Sequence, residues 1–416
     1  PSTQKVIYLE HPEGSVFPGQ RVRGDKYHYI ARVSGVEPKG YTTFWIREDG
    51  SQDTLDFSSE LKVTNERLEN RFYRIDLDDQ GHISSILDKR LNRQVLQPNQ
   101  KGNVLQAFED KPRREDNWNL DIYYSEKMWE INDLQSIEVM ESGPVRGVLR
   151  ITRQFLNSQI KQDLIIYRDN SRIDFKTWMD WQEHDIALKV SFPVEINATQ
   201  ATYEIQYGHV KRNTHWNTSW DIAKFEVCGH KWADLSEYGY GVSLLNDCKY
   251  GYDIKDSNMR LTLLRSGNIP NPDADKEIHE FIYSLYPHVG DWRDSGTVRQ
   301  AYELNCSLLG QVIEAQPKGT LPPSYSMVRI SSDNVIVEVV KQAEDGQDTV
   351  LRVYEAYNQR ALVKVELGQE IEDVKECNLM EEDLSCQPHD LKWQGREFTF
   401  SIQPFEIRTF KVSWAK

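Results

Sequence analysis

Carboxylates and histidines are the groups through which this sequence could do chemistry, and it carries 65 of the first and 10 of the second. Their spacing decides what is open to them. A protein-bound zinc needs about three or four ligands converging on one point. The ten histidines form no H-x-H or H-E-x-x-H pair. The nearest imitation of a ligand cluster is Glu183-His184-Asp185, which lies between two strand-like runs and ahead of Lys189 and Phe192-Pro193-Val194. A turn histidine fits that setting better than a metal ligand, so no metal site is expected in this chain. A glycosidase needs a pair of carboxyl groups, one as acid/base and one as nucleophile or base, and a count of acids cannot single out such a pair. No G-x-S-x-G motif and no phosphate-binding glycine loop is present. Spacing alone thus singles out no catalytic residue.

The elements that would position any site are strands. Tyr207 to Asp253 holds Trp216, Trp220 and Trp232, four tyrosines after them, and Gly239, Gly241 and Gly251 at the interruptions. Aromatics beside glycines on short strands suit a large antiparallel sheet. Tyr240 to Leu245 reads as a strand, Asp253 to Asn258 as a turn, and Trp232 as packing on the Tyr240 to Leu245 strand. Strand-like runs recur about every ten residues from Ile137 to Val194, as in one long meander. Helical periodicity is absent throughout.

Composition bounds the partners. Lys and Arg number 50 against 65 Asp and Glu, a net charge of −15 with no basic stripe, so nucleic acid and anionic lipid are poor partners. No run approaches the roughly 18 apolar residues of a membrane span, and no secretory signal opens the chain. It starts at Pro1 rather than Met, so an upstream portion is expected. Cys228, Cys248, Cys306, Cys377 and Cys386 are odd in number and scattered, without C-x-x-C, which points to a reducing cytoplasm rather than a disulfide framework. The sequons at Asn197, Asn217 and Asn305 are then chance matches.

Four segments are expected. Residues 1–62 read as a small β-sandwich domain with strands near Val6 to Leu9, Tyr27 to Val33 and Thr42 to Ile46. Residues 63–310 read as a large β domain, opening on a hairpin turn at Asp78 to Gly81. Residues 311–326 form a Pro- and Gly-rich linker, and 327–416 a C-terminal β-sandwich.

The wording of several runs resembles glycoside hydrolase family 38, the α-mannosidases. Trp232, Asp234 to Glu237, Gly239 to Val242, Leu244 to Asp247 and Lys249 to Asp253 match a long gap-free family pattern. Glu69, Asn70, Tyr73, Ile75, Ile83, Ser85, Ile86, Asp88 and Lys89 match the opening of the family's large β domain. Phe108, Glu109, Asp110, Pro112, Asp116, Trp118, Asp121, Tyr123 and Tyr124 carry a third pattern, in which Asn117 departs from the family's alanine. Pro270, Pro272, Ala274, Asp275, His279, Phe281, Tyr283, Leu285, Pro287 and His288 carry a fourth, with departures at Asn271, Asp273 and Glu277.

The resemblance covers nearly the whole chain and implies an all-β C-terminal region. Its expected form is a large antiparallel, galactose-mutarotase-like supersandwich flanked by two smaller β-sandwiches. It also implies that the nucleophile, the acid/base and the zinc ligands belong to an N-terminal α/β domain of the parent enzyme. This chain would support that domain, help to complete the pocket for an α-mannoside or oligosaccharide, and mediate homo-oligomerisation. The pocket-rim candidates are Asp110, Trp118, Asp121, Asp273, Asp275 and His279. The plainer reading makes Asp110, Asp121 and Asp275 turn caps and Trp118 a core residue. A stand-alone carbohydrate-binding module and a mutarotase-like aldose epimerase are the alternatives.

Overall fold

The computed structural model describes residues 6–23, 28–49, 60–314 and 319–415. The chain is all-β apart from short helical pieces. Tyr27, in one expected strand, and residues 315–318 of the expected linker lie outside the described residues.

The large middle unit closes three antiparallel sheets around one core. The nine-stranded sheet runs in the order Leu134–Ser142, Arg146–Phe155, Ser158–Tyr167, Ile173–Asp180, Ile278–Val289, Tyr240–Asn246, Trp232–Glu237, Gln200–Ile205, Gly208–Asn213. A six-stranded sheet has the order Met128–Glu130, Val104–Glu109, Ile186–Pro193, Asn258–Ser266, Gly251–Lys255, Val227–Cys228. A five-stranded sheet runs from Arg93–Gln94 through Ile83–Asp88 and Tyr73–Leu77 to Lys62–Val63. Leu149, Phe175 and Tyr283 of the first, Leu105, Phe192 and Leu261 of the second, and Tyr73, Ile75 and Ile83 of the third meet in one buried cluster. Burial that alternates along Tyr73–Leu77 is the mark of a strand with one face on the core.

Tyr240–Asn246 is buried at every position. Tyr240, Val242 and Leu244 face the central core, and Leu245 faces a second cluster with Trp232, Tyr286, Trp292, Val298 and Ala301. Gly241 is required there: a Cβ would stand 2.2 Å from Ser236 Oγ and 2.4 Å from His288 Cε1. Trp232 lies opposite Leu245 in the register, as a packing residue of that strand should.

That second cluster is roofed by an element the sequence does not announce, the helix Thr297–Asn305. It buries Thr297, Val298 and Ala301, too short an apolar stripe to read as a helical period. The expected turn at Asp253 to Asn258 is also shorter than expected. Gly251–Lys255 continues as a strand because Asp253 pairs across to Arg260, whose Nη2 lies 2.8 Å from Asp253 Oδ2.

On either side sit smaller units. Upstream, Tyr29–Ala31, Val16–Arg21, Val6–Glu10 and Trp45–Asp49 form a four-stranded sheet. Gly40–Thr42 pairs with Ser324–Ser326, tying this unit to the far end of the chain. Downstream, two four-stranded sheets enclose Val353, Val363, Val365, Phe398, Phe400 and Phe410. This sandwich docks on the middle unit through His209, whose Nδ1 is 2.9 Å from the Ala356 carbonyl and whose ring lies between Trp292 and Phe405.

Candidate functional site: a braced two-loop rim

Sheet topology brings the two candidate segments together. Val104–Glu109 and Asn258–Ser266 flank Ile186–Pro193, and Glu109 and Ser266 both pair with Ile186. The loops that leave these two strands therefore start side by side, although they are about 155 residues apart in sequence.

They are then locked. Asp116 accepts hydrogen bonds from the backbone N–H of Asn268 (2.8 Å) and of Ile269 (2.6 Å). Asn117 N–H donates to the Ile269 carbonyl at 3.1 Å, and its side-chain amide reaches the Asn271 carbonyl at 3.3 Å. Gly267 has to be small, because a Cβ would fall 2.0 Å from Asn117 Oδ1. Arg265 donates through Nε to Asp110 Oδ2 and through Nη2 to the Asn119 carbonyl. Its own N–H donates to Asp275 Oδ2 at 3.3 Å.

Each expected rim residue has a definite place. Asp110 is only 1% exposed, so it braces Arg265 instead of facing solvent. Burial pushes its carboxyl above the ordinary range, with Arg265 pulling the other way. Trp118 is 70% exposed, which overturns its reading as a core residue. Asp121 accepts from Arg113 N–H at 2.9 Å and, with Arg113, Arg114 and Asn119, lines an open hollow of about 420 Å³. A second hollow of about 530 Å³ is lined by Asn117, Arg265, Asn271, Asp273, Asp275 and Glu277. Asp273 is exposed, 3.6 Å from Lys276 Nζ. His279 Nε2 lies 2.8 Å from the Asp275 carbonyl.

Among the described residues, Asp275, Glu277 and His279 bring ligand-type atoms within 4.8 Å of one another. The group lacks the buried shell of a catalytic zinc site, since both carboxylates are exposed; His279 is held through Nε2 by the Asp275 carbonyl, which leaves its Nδ1 open. Glu183-His184-Asp185 fits one no better, because its side chains diverge. Glu183 accepts from Ser158 Oγ at 2.8 Å, His184 Nε2 meets Lys276 Nζ at 3.1 Å, and Asp185 lies 4.0 Å from Lys111.

Sequence reasoning misses two buried polar networks. In the first, His288 Nε2, Ser243 Oγ and Ser236 Oγ converge on the Asp234 carboxylate, and Thr297 Oγ1 sits behind Ser243 at 2.8 Å. Tyr240 OH donates to Asp88 Oδ2 at 2.9 Å, and Arg90 bridges Asp88 to the Pro287 carbonyl. In the second, the fully buried Lys189 Nζ meets Glu226, lies 3.6 Å from Asp253 and stands 4.8 Å from the centre of the Tyr124 ring. The available signal is polar residues at the buried phase of otherwise apolar strands.

Residues 68–273 match the glycosyl hydrolases family 38 C-terminal domain, and residues 334–410 match the family 38 C-terminal β-sandwich domain. The chain belongs to the C-terminal β region of glycoside hydrolase family 38. It is 36% identical over 394 residues to α-mannosidase G of Dictyostelium discoideum, covering 90% of this chain and 36% of that protein. It is 36% identical over 345 residues to human α-mannosidase 2C1, covering 82% of this chain and 33% of that one. The family-38 chain thus spans about a third of the length of these relatives. A solved α-mannosidase of Enterococcus faecalis V583 shares the fold at a TM-score of 0.78 and 16% identity, covering 98% of this chain and 51% of that one.

Proposed function

We propose that this chain is the supporting β portion of an α-mannosidase that releases terminal α-D-mannose from mannosides or glycans with retention of configuration. The nucleophile, the acid/base and the zinc ligands belong to an N-terminal α/β domain of the same polypeptide. The observation that carries this reading is the long match to proteins named α-mannosidases, of which this chain is only a third. The braced rim supports a second role, completing the pocket. Two loops held by backbone hydrogen bonds cannot drift, and they present exposed Trp118 between Asn117 and Asn119, which line the two hollows. An exposed ring beside amides and carboxylates suits a pyranose, whose face stacks and whose hydroxyls hydrogen-bond. All five cysteines are free and four are exposed, which supports a reducing cytoplasm.

The test is hydrolysis of an aryl α-mannoside. The complete polypeptide should turn it over, with NMR showing the α-anomer as first product. The 416-residue chain alone should not, with or without added zinc, because this reading puts the nucleophile, the acid/base and the zinc ligands in the N-terminal domain. Metal-dependent turnover by this chain alone, abolished by His184→Ala, overturns the reading.

A further inference from the structure

After the helix Thr297–Asn305, the strap of residues 306–314 exposes apolar side chains instead of hiding them. Leu308 is 68% exposed, Leu309 101%, Val312 81% and Ile313 63%. No charged residue occurs from Cys306 to Ile313. A connection that only needed to be solvated would be polar.

The described residues on either side of 315–318 are anchored. Upstream, Asn305 Nδ2 donates to the Asn246 carbonyl at 2.9 Å, and Tyr250, four residues beyond Asn246, is 46% exposed. Downstream, the Pro322 carbonyl accepts from Tyr41 OH and the Pro323 carbonyl from Thr43 N–H, each at 2.9 Å. Residues 306–314 therefore leave a fixed point at Asn305.

We propose that Leu308, Leu309, Val312 and Ile313 are the apolar centre of the surface on which the upstream portion of the polypeptide docks. This rests on the reading of the chain as one part of a longer enzyme. The relatives carry about two-thirds of their length outside the matched region, enough to cover such a surface. Upstream sequence would also enter through the unit whose Gly40–Thr42 strand pairs with Ser324–Ser326 just beyond the strap. A central apolar patch with a polar surround is the usual form of a lasting interface.

Hydrogen exchange read by mass spectrometry, on the 416-residue chain and on the complete polypeptide, tests this. Residues 306–314 should exchange at least tenfold more slowly in the complete polypeptide. The double substitution Leu309→Ser, Val312→Ser should abolish that protection there, yet leave the melting temperature of the 416-residue chain unchanged. Equal exchange in both proteins overturns the proposal. So does sedimentation showing that the 416-residue chain dimerises through the strap and that the double substitution makes it monomeric. A complete polypeptide with a protected strap but no mannosidase activity refutes the functional reading and leaves the docking surface standing. An active one with an unprotected strap does the reverse.

Discussion

His288 Nε2 lies 2.8 Å from Asp234 Oδ2, and both side chains are 1% exposed. The same oxygen takes the Ser243 hydroxyl at 2.7 Å, and the other takes Ser236. Asp234 thus satisfies two buried groups and one half-buried hydroxyl, drawn from three strands. Asp234→Ala should destabilise the chain by about 3–5 kcal/mol, because it strands buried polar partners. Asp234→Asn, which keeps the shape and most of the bonds, should lose less than half of that. Urea denaturation reads both, and a loss below about 1 kcal/mol for the alanine variant would remove the network from the determinants of the fold.

Two tryptophans make opposite predictions. Trp232 is 1% exposed, its ring 4.8 Å from that of Trp292 and packed with Leu245 and Val298. Trp232→Ala should cost about 3–5 kcal/mol. Trp118→Ala should change stability by no more than about 0.5 kcal/mol, since the ring is 70% exposed. In the complete polypeptide, however, Trp118→Ala should raise KM for a mannoside several-fold. An unchanged KM would exclude Trp118 from the substrate rim.

These tryptophans also mark how far the sequence is legible. Residue type and strand pattern place Tyr240 to Leu245 in a sheet and the Asp78 to Gly81 turn in a hairpin, because β-propensity and turn chemistry are local. Whether a tryptophan is core or surface depends on what lies opposite, and that is set by pairings far away in the chain. The rim shows the same limit. Asp116 and Ile269 are neighbours only because strands on both sides of Ile186 end at one edge, a fact of topology. The helix Thr297–Asn305 escapes notice because Val298 and Ala301 are its only apolar residues buried against the sheet.

Asp116 should hold the rim in shape. Its carboxylate takes two backbone N–H groups of the opposite loop, so Asp116→Ala should lose about 1.5–3 kcal/mol if the loops separate only locally. Exchange at the Asn268 and Ile269 amides should accelerate at the same time. Unchanged exchange there would show that the loops are held by other contacts.

Acid sensitivity should owe part of its slope to His82, with His209 shifted the same way by burial. His82 is 1% exposed and neither ring nitrogen has a hydrogen-bond partner. Burial lowers its pKa, Arg153 adds to the effect, Lys101 acts the same way, and Asp78 and Glu130 oppose it. The unfolded chain then binds a proton that the folded chain refuses. This stability is complete above the ordinary histidine pKa of about 6.5 and declines as pH falls from there toward the lowered folded value. His82→Leu should flatten the fall in melting temperature between about pH 6.5 and 5. A slope identical to that of the parent would place the acid response elsewhere.

The second buried network allows a sharper test, because one cation serves two acids. Lys189 is fully buried, paired with Glu226 and 3.6 Å from Asp253. Burial works against its charge, yet Glu226 and Asp253 outweigh it and hold the ammonium pKa above the ordinary lysine value. Asp253 keeps a second partner in Arg260, at 2.8 Å, whereas Glu226 keeps only the Thr262 hydroxyl among its side-chain hydrogen bonds. Lys189→Met should therefore lose about 3–5 kcal/mol, most of it from an uncompensated Glu226. Glu226→Gln alone should also destabilise, by leaving the ammonium short of charge. The double variant should be more stable than the sum of the two losses by at least about 1 kcal/mol, since neither charge is then left alone. A cycle that adds up to within about 0.5 kcal/mol would mean that the two groups do not depend on each other, and that the pair is a neighbourhood and not a bond.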